Sequence, residues 1–149
     1  MAVNPELQGR TLAPTAPYLV GREKLREFAK AVFASDPLHF DVAAAHAAGY
    51  ADLVAPPTFA VVLQQLTLDA LLAEPDTGLD FSKVVHGDQR FSFSRPIVAG
   101  DELTAQLTVT AIKSLGGNSM VTSESVVTDA AGAHVVTATS TLVVRGDAA

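Results

Sequence analysis

Hydrophobic residues in the first half of the chain fall at helical spacing. In REKLREFAKAVF (22–33), Leu25, Phe28, Val32 and Phe33 form one stripe with charges elsewhere, which predicts an amphipathic helix. Asp41 is placed to cap a short helix, VAAAHAA, that Gly49 ends. LVAPPTFAVVLQQLTLDALLA (53–73) follows. Pro57 suits the first turn of a helix, where its missing N–H costs nothing. From Phe59 to Leu72 the apolar residues run nearly all round, which predicts a helix roughly 24 Å long that is buried on most of its sides.

The period then changes to two. KVVHGDQRFSFSRP (83–96) carries Val85, Phe91 and Phe93 on one parity. ELTAQLTVTAI (102–112) alternates Leu103, Ala105, Leu107, Val109 and Ala111 with Thr104, Gln106, Thr108 and Thr110, the pattern of a half-buried strand. GGN (116–118) signals a hairpin turn. SMVTSESVVTD (119–129), a turn at AAG and HVVTATSTLVV (134–144) complete the pattern. Three long antiparallel strands after one apolar helix predict an α+β fold, with a curved sheet wrapped around that helix. Pro5, Pro14 and Pro17 at the start and RGDAA at the close read as loose ends.

Composition removes several function classes. The 149 residues fit one domain, 1–149. With 48% hydrophobic and 17% charged residues the chain has a core and is not disordered. A net charge of −6 without a basic stripe argues against nucleic acid, but not against a ligand carrying a few phosphates. The absence of cysteine excludes disulfides, thiolate metal sites and Cys nucleophiles, and fits a cytoplasmic protein. MAVNPELQGR has no apolar run of the secretory kind. The longest apolar segment, 57–73, is interrupted by Gln64, Gln65 and Asp69, short of the ~18 residues of a membrane span.

The candidate chemistry centres on histidine. His39 stands behind a Pro-Leu step in FASDPLHFD (33–41). His86, Asp88 and Arg90 share one face of the first long strand, either as acid/base groups or as a polar face making hydrogen bonds across the sheet or at a subunit contact. His46 and His134 read as surface residues. The four histidines lack metal-ligand spacing, so no metal is expected. Gly100-Asp101, after Arg95-Pro96, reads as a turn that aims the next strand. Lys83, Arg90, Arg95 and Lys113 are the basic residues along the sheet, solvated by default, though one can meet a phosphate.

The ordered set SDPLHFD, APPTF and VVHGDQRFSFSRPIVAGDEL resembles the MaoC-like dehydratases and hydratases, over about residues 10 to 145. The resemblance implies a hot-dog fold. It also implies addition of water to a trans-2-enoyl thioester, or its removal from a (3R)-hydroxyacyl thioester, in fatty-acid metabolism. Members are often built from two hot-dogs, fused or as separate chains. The catalytic half carries D-x-N-P-x-H and an H-G helix opening; the companion half reads P-T-F and H-G-[DE]-Q. This chain has Pro57-Thr58-Phe59 and His86-Gly87-Asp88-Gln89, and so is similar to the companion half, the small A-type subunit of two-chain (3R)-hydroxyacyl-thioester dehydratases.

Carried across, the family's Asp falls on Ala34, its Asn on Asp36, its Pro on Pro37 and its His on His39. The histidine is present and its acid is absent; Asp36 and Asp41 stand near but off the family spacing. Pro56 and Pro57 remove two N–H groups where the catalytic half offers a donor to the thioester oxygen, while Thr58 and Phe59 keep theirs. The resemblance therefore implies a non-catalytic, acyl-thioester-binding subunit. Its tunnel would be lined by Pro57, Thr58, Phe59, Phe91 and Phe93, and its substrate carried on coenzyme A or acyl carrier protein with no other cofactor. It would pair with a catalytic B-type hot-dog or with itself. Three alternatives stay open: a self-sufficient homodimeric hydratase using His39, a hot-dog thioesterase, and a non-enzymatic acyl-thioester binder. The early helix offers Thr58, Gln64 and Gln65, and a carboxylate only late, at Asp69, which counts against the thioesterase.

Overall fold

The computed structural model describes residues 2–146. After a two-residue strand β1 (Tyr18–Leu19) come α1 (Arg22–Ala31), α2 (Val42–Ala47) and the central helix α3 (Ala60–Ala73). Four long strands follow: β2 (Val84–Phe93), β3 (Glu102–Leu115), β4 (Asn118–Thr128) and β5 (His134–Val144). They form one antiparallel sheet in the order β1-β3-β4-β5-β2, with α3 against its inner face. This is the single hot-dog fold expected from the pattern.

Local signals set most boundaries. The Asp41 carboxylate accepts from Ala43 N–H at 2.8 Å and starts α2, and Gly49, at φ +92°, closes it. A 3-10 turn, Pro57–Phe59, leads into α3. The first helix ends earlier than its stripe predicts. Phe33 takes the left-handed conformation (φ +59°), and Ala34 N–H reaches back to the Ala29 carbonyl at 2.9 Å. That closing position favours glycine. Val32 and Phe33 therefore leave the stripe, and Phe33 is 93% exposed. Leu25, Phe28 and Ala29 supply the packing, with Phe28 edge-on to Phe59 at 5.3 Å.

Strand β2 departs from simple alternation. A bulge between His86 and Asp88 shifts its register against β5, so His86 pairs with Leu142 and Gln89 with Ser140. His86 and Gln89 thus share the inner face with Phe91 and Phe93, while Asp88 and Arg90 face outward and pair with each other at 3.1 Å. The expected common face of His86, Asp88 and Arg90 is split by this bulge. Val85 is likewise separated from Phe91 and Phe93 and is exposed.

On α3, Ala60, Leu63, Gln64, Thr67 and Leu71 are buried, whereas Gln65, Leu66, Asp69 and Ala70 are exposed. The helix is covered on one side, not most; its apolar composition conceals an open face. Beneath it the core is two clusters. One holds Phe59, Ala60, Leu63, Ile97, Leu103 and Val136, and the other Leu71, Leu107, Val109, Val121 and Val144. Between them lies a polar belt of Gln64 and Thr67 on the helix and Ser123, Ser125 and Ser140 on the sheet, all buried.

The start of the chain is not loose. Val3, Leu7 and Leu12 are buried in the second cluster. Gly9 N–H donates to Val109 O at 2.7 Å and Leu12 N–H to Leu107 O at 2.9 Å, so this segment straps the end of the sheet. Of the expected loose close, residues 147–149 lie outside the described residues. Among the described residues, no helix is long and apolar enough to cross a membrane.

Candidate functional site

A cleft of about 560 Å³ opens where α3 begins. One wall is the 3-10 turn Pro37–His39, the floor is Val54–Pro57, and the other wall is Phe93–Ile97. The backbone stitches these together. Val54 N–H bonds to Leu38 O at 3.0 Å, Ala55 N–H to Ile97 O at 2.8 Å and Ala99 N–H to Leu53 O at 2.9 Å. Each segment is irregular, but each is pinned to its neighbour.

His39 is half-buried in this wall, and its Nδ1 lies 2.7 Å from the Val54 carbonyl. A carbonyl only accepts, so Nδ1 carries the proton and a neutral ring leaves Nε2 as an acceptor. That is the tautomer of a general base. The acid that would complete it is absent, since position 34 is alanine. Asp36 lines the cleft, but one of its oxygens caps the turn through Leu38 N–H at 3.0 Å. Asp41 is engaged at α2.

The opposite wall is braced by charge. The Arg95 guanidinium forks onto both carboxylate oxygens of Asp101, at 2.9 and 3.0 Å, and reaches Asp129 at 3.3 Å. Asp101 also accepts from Val98 N–H at 2.9 Å, at the turn closed by Gly100 (φ +92°). The hydrogen bond to Asp101 holds Arg95 more firmly protonated than usual. Asp129 is held below the usual carboxylate range, first by Ala133 N–H and then by Arg95. Arg95 is thus a structural brace, not the solvated charge its sequence suggests.

Sequence reasoning passed over Ser94. It lines the cleft, and its hydroxyl lies 2.5 Å from Nδ1 of His134, whose Nε2 contacts the Thr137 hydroxyl at 2.7 Å. His134 is exposed as expected, but it is bonded on both nitrogens. The two residues are 40 positions apart, and no local pattern links them.

The structure brings His39, Pro57 and Phe93 together in the cleft. Phe59 is fully buried beneath it, and Phe91 packs half-buried against the same cluster. Thr58 is exposed. The helix opening is poor in donors: Pro56 and Pro57 have no N–H, Ala55 and Phe59 donate to Ile97 O and Pro56 O, and Thr58 alone of 55–59 keeps an N–H outside those bonds. His46 is bonded to Ala51 O at 2.9 Å on the surface.

Residues 6–138 match the family described as the FAS1-like, dehydratase domain region. The chain is 69% identical to a UPF0336 protein of Clavibacter michiganensis over 147 residues, 99% of each chain. It is 51% identical to one of Thermobifida fusca over 148 residues, covering 99% of this chain and 97% of the other. Among solved structures it is similar to one described as the C-terminally truncated HadBC (3R-hydroxyacyl-ACP dehydratase) complex from Mycobacterium tuberculosis. There the identity is 33% and the TM-score 0.83, over 92% of this chain and 96% of that one. A MaoC-like dehydratase gives 36% identity and a TM-score of 0.83, over 93% of this chain and 42% of that longer one.

Proposed function

Because this chain belongs to the MaoC-like hot-dog dehydratases, matching their FAS1-like dehydratase region, we propose that it is the acyl-thioester-binding companion subunit of a (3R)-hydroxyacyl-thioester dehydratase. A second hot-dog chain then supplies the catalytic Asp and His. The observation that carries this reading is the cleft at His39: an oriented imidazole, an apolar floor, and alanine where the acid belongs. The proline-blocked helix opening supports it, since a site that stabilises a developing enolate needs N–H donors there. The edge strand β2 and the open face of α3, with Leu66 and Ala70, are surfaces such a partner can cover. The solved HadBC complex is itself described as a complex of a 3R-hydroxyacyl-ACP dehydratase. On this reading the substrate arrives on coenzyme A or acyl carrier protein, in the cytoplasm, and no further cofactor takes part.

The experiment follows hydration of a short trans-2-enoyl thioester by loss of the enoyl absorbance. The purified chain is expected to be inactive, and to become active with a partner that carries D-x-N-P-x-H. In that pair His39→Ala is expected to leave the rate nearly intact; a loss of a hundredfold or more, the size expected of a general acid–base group, overturns the assignment. The fixed tautomer of His39 favours a second reading, a hydratase that works alone. Turnover by the chain alone, abolished by His39→Ala, would select it.

A further inference from the structure

We propose that the polar belt across the core is the inner stop of the acyl pocket, so that this chain takes thioesters with short acyl tails. This rests on the thioester reading above and names its substrate class. The belt is a continuous hydrogen-bond system, buried at Gln64, Thr67, Ser125 and Ser140, half-buried at Gln89 and reaching the surface at His86. The Gln64 amide donates to Gln89 Oε1 at 3.1 Å, and the Gln89 amide donates back to Gln64 Oε1 at 2.7 Å and to Thr139 O at 3.2 Å. His86 Nε2 approaches Gln89 Oε1 at 3.1 Å and Ser140 Oγ at 3.3 Å. Thr67 donates to Gln64 O at 2.7 Å and meets Ser125 Oγ at 2.8 Å. Among the described residues no buried side-chain polar atom lacks a partner.

The belt lies straight inward from the cleft. Ala55 and Ile97 belong both to the cleft lining and to the first apolar cluster, so that cluster is the cleft's floor. Gln64 follows Pro57 by seven residues, about 10 Å along a helix. Gln89 precedes Phe93 by four, about 13 Å along a strand. An alkyl tail that enters between Pro57 and Phe93 first meets Phe59, Leu63 and Phe91. Those side chains exchange apolar contacts for apolar contacts as they yield. Beyond them the tail must part the Gln64–Gln89 pair and the Thr67–Ser125 contact, and an alkyl chain replaces none of those hydrogen bonds. Leaving buried donors and acceptors unpaired costs more than the next methylenes gain.

The test is calorimetric titration of the full chain with trans-2-enoyl-coenzyme A esters, from crotonyl to hexadecenoyl. Affinity is expected to rise about fourfold per buried methylene while the tail stays on the cleft side, then to stop rising once the tail exceeds the ~10 Å span. In Gln64→Leu/Gln89→Leu, both amides give way to apolar groups of similar size, and the break is expected to move to longer tails. A wild-type gain that continues unbroken to the longest ester overturns the proposal. So does a break that stays in place in a double variant that still melts cooperatively. If that variant does not fold, Thr67→Val/Ser125→Ala must produce the same displacement, and failure to do so counts equally against the belt. Binding at no length overturns the thioester reading itself and the stop with it, a result distinct from wild-type binding without a break.

Discussion

At one end of the core Phe59 and Ile97 lie under a cleft walled by turns and prolines; at the other, Leu71, Leu107 and Val109 lie under the N-terminal strap. Both clusters are apolar and well buried, and both sit between α3 and the same sheet. They differ in their cover. The strap covers its end with backbone hydrogen bonds to β3 and three buried side chains, and the recess left beside Val3 and Val144 is small, about 190 Å³. The cleft end is held by bonds between irregular segments, and these leave Nε2 of His39, the Ser94 hydroxyl and the faces of Pro57 and Phe93 accessible. On the function proposed above, one end serves stability and the other recognition, with the belt marking the border.

Three changes test that division. Leu71→Ala removes a fully buried side chain from the strapped end. It is expected to cost about 2–5 kcal/mol in urea unfolding, with thioester affinity of the folded fraction unchanged; loss of affinity would show that the two ends are coupled. Arg95→Ala removes the fork to Asp101 and the contact to Asp129. For these partly exposed charged bonds about 1–2 kcal/mol is expected, accompanied by weaker ligand binding because the Phe93–Ile97 wall loosens. Arg95→Lys should recover only part of it, since an ammonium cannot fork. The smallest effect is acid sensitivity. Asp52 is held below its ordinary range, chiefly by the hydrogen bond from Arg22, as Asp129 is by Ala133 N–H. Their folded pKa values lie below the unfolded ones, so their stabilisation is complete above about pH 4 and fades as pH falls through the lowered values. Asp52→Asn should flatten the acid limb of a melting-temperature profile; an unchanged limb would remove Asp52 from the account.

Much of this division is legible in the chain, for identifiable reasons. The Asp41 cap, the Gly49 stop, the alternation of β3 from Leu103 to Val109 and the turn at Gly116-Gly117 are local signals, and each sits where the pattern places it; beyond Val109 a bulge shifts the register, and Ile112 instead of Ala111 packs on the core. The cleft was legible only in part: His39, Pro57 and Phe93 come together, but Ser94 and His134 meet through tertiary structure alone. The belt is hidden for the same reason, because Gln64 and Gln89 are 25 residues apart and no local pattern pairs them. Two readings failed on local geometry. Strict period two assumes an unbroken strand, and the bulge at Gly87 breaks it. A helical stripe assumes a helix that continues, and the left-handed turn at Phe33 ends it.

The strap also bears on the order in which the molecule is assembled. Thr11 meets Thr108 across 97 positions, with Gly9 and Leu12 bonded to Val109 and Leu107 on either side. On a ribosome the strap therefore emerges long before the strand it docks on. It waits for the 97 positions that separate Thr11 from Thr108 to be made, and closing so long a loop carries an entropic cost that local hairpins avoid. The β3–β4 and β4–β5 hairpins can form as soon as they are synthesised. Refolding from denaturant should thus end with the N-terminus docking onto a sheet that is already in place.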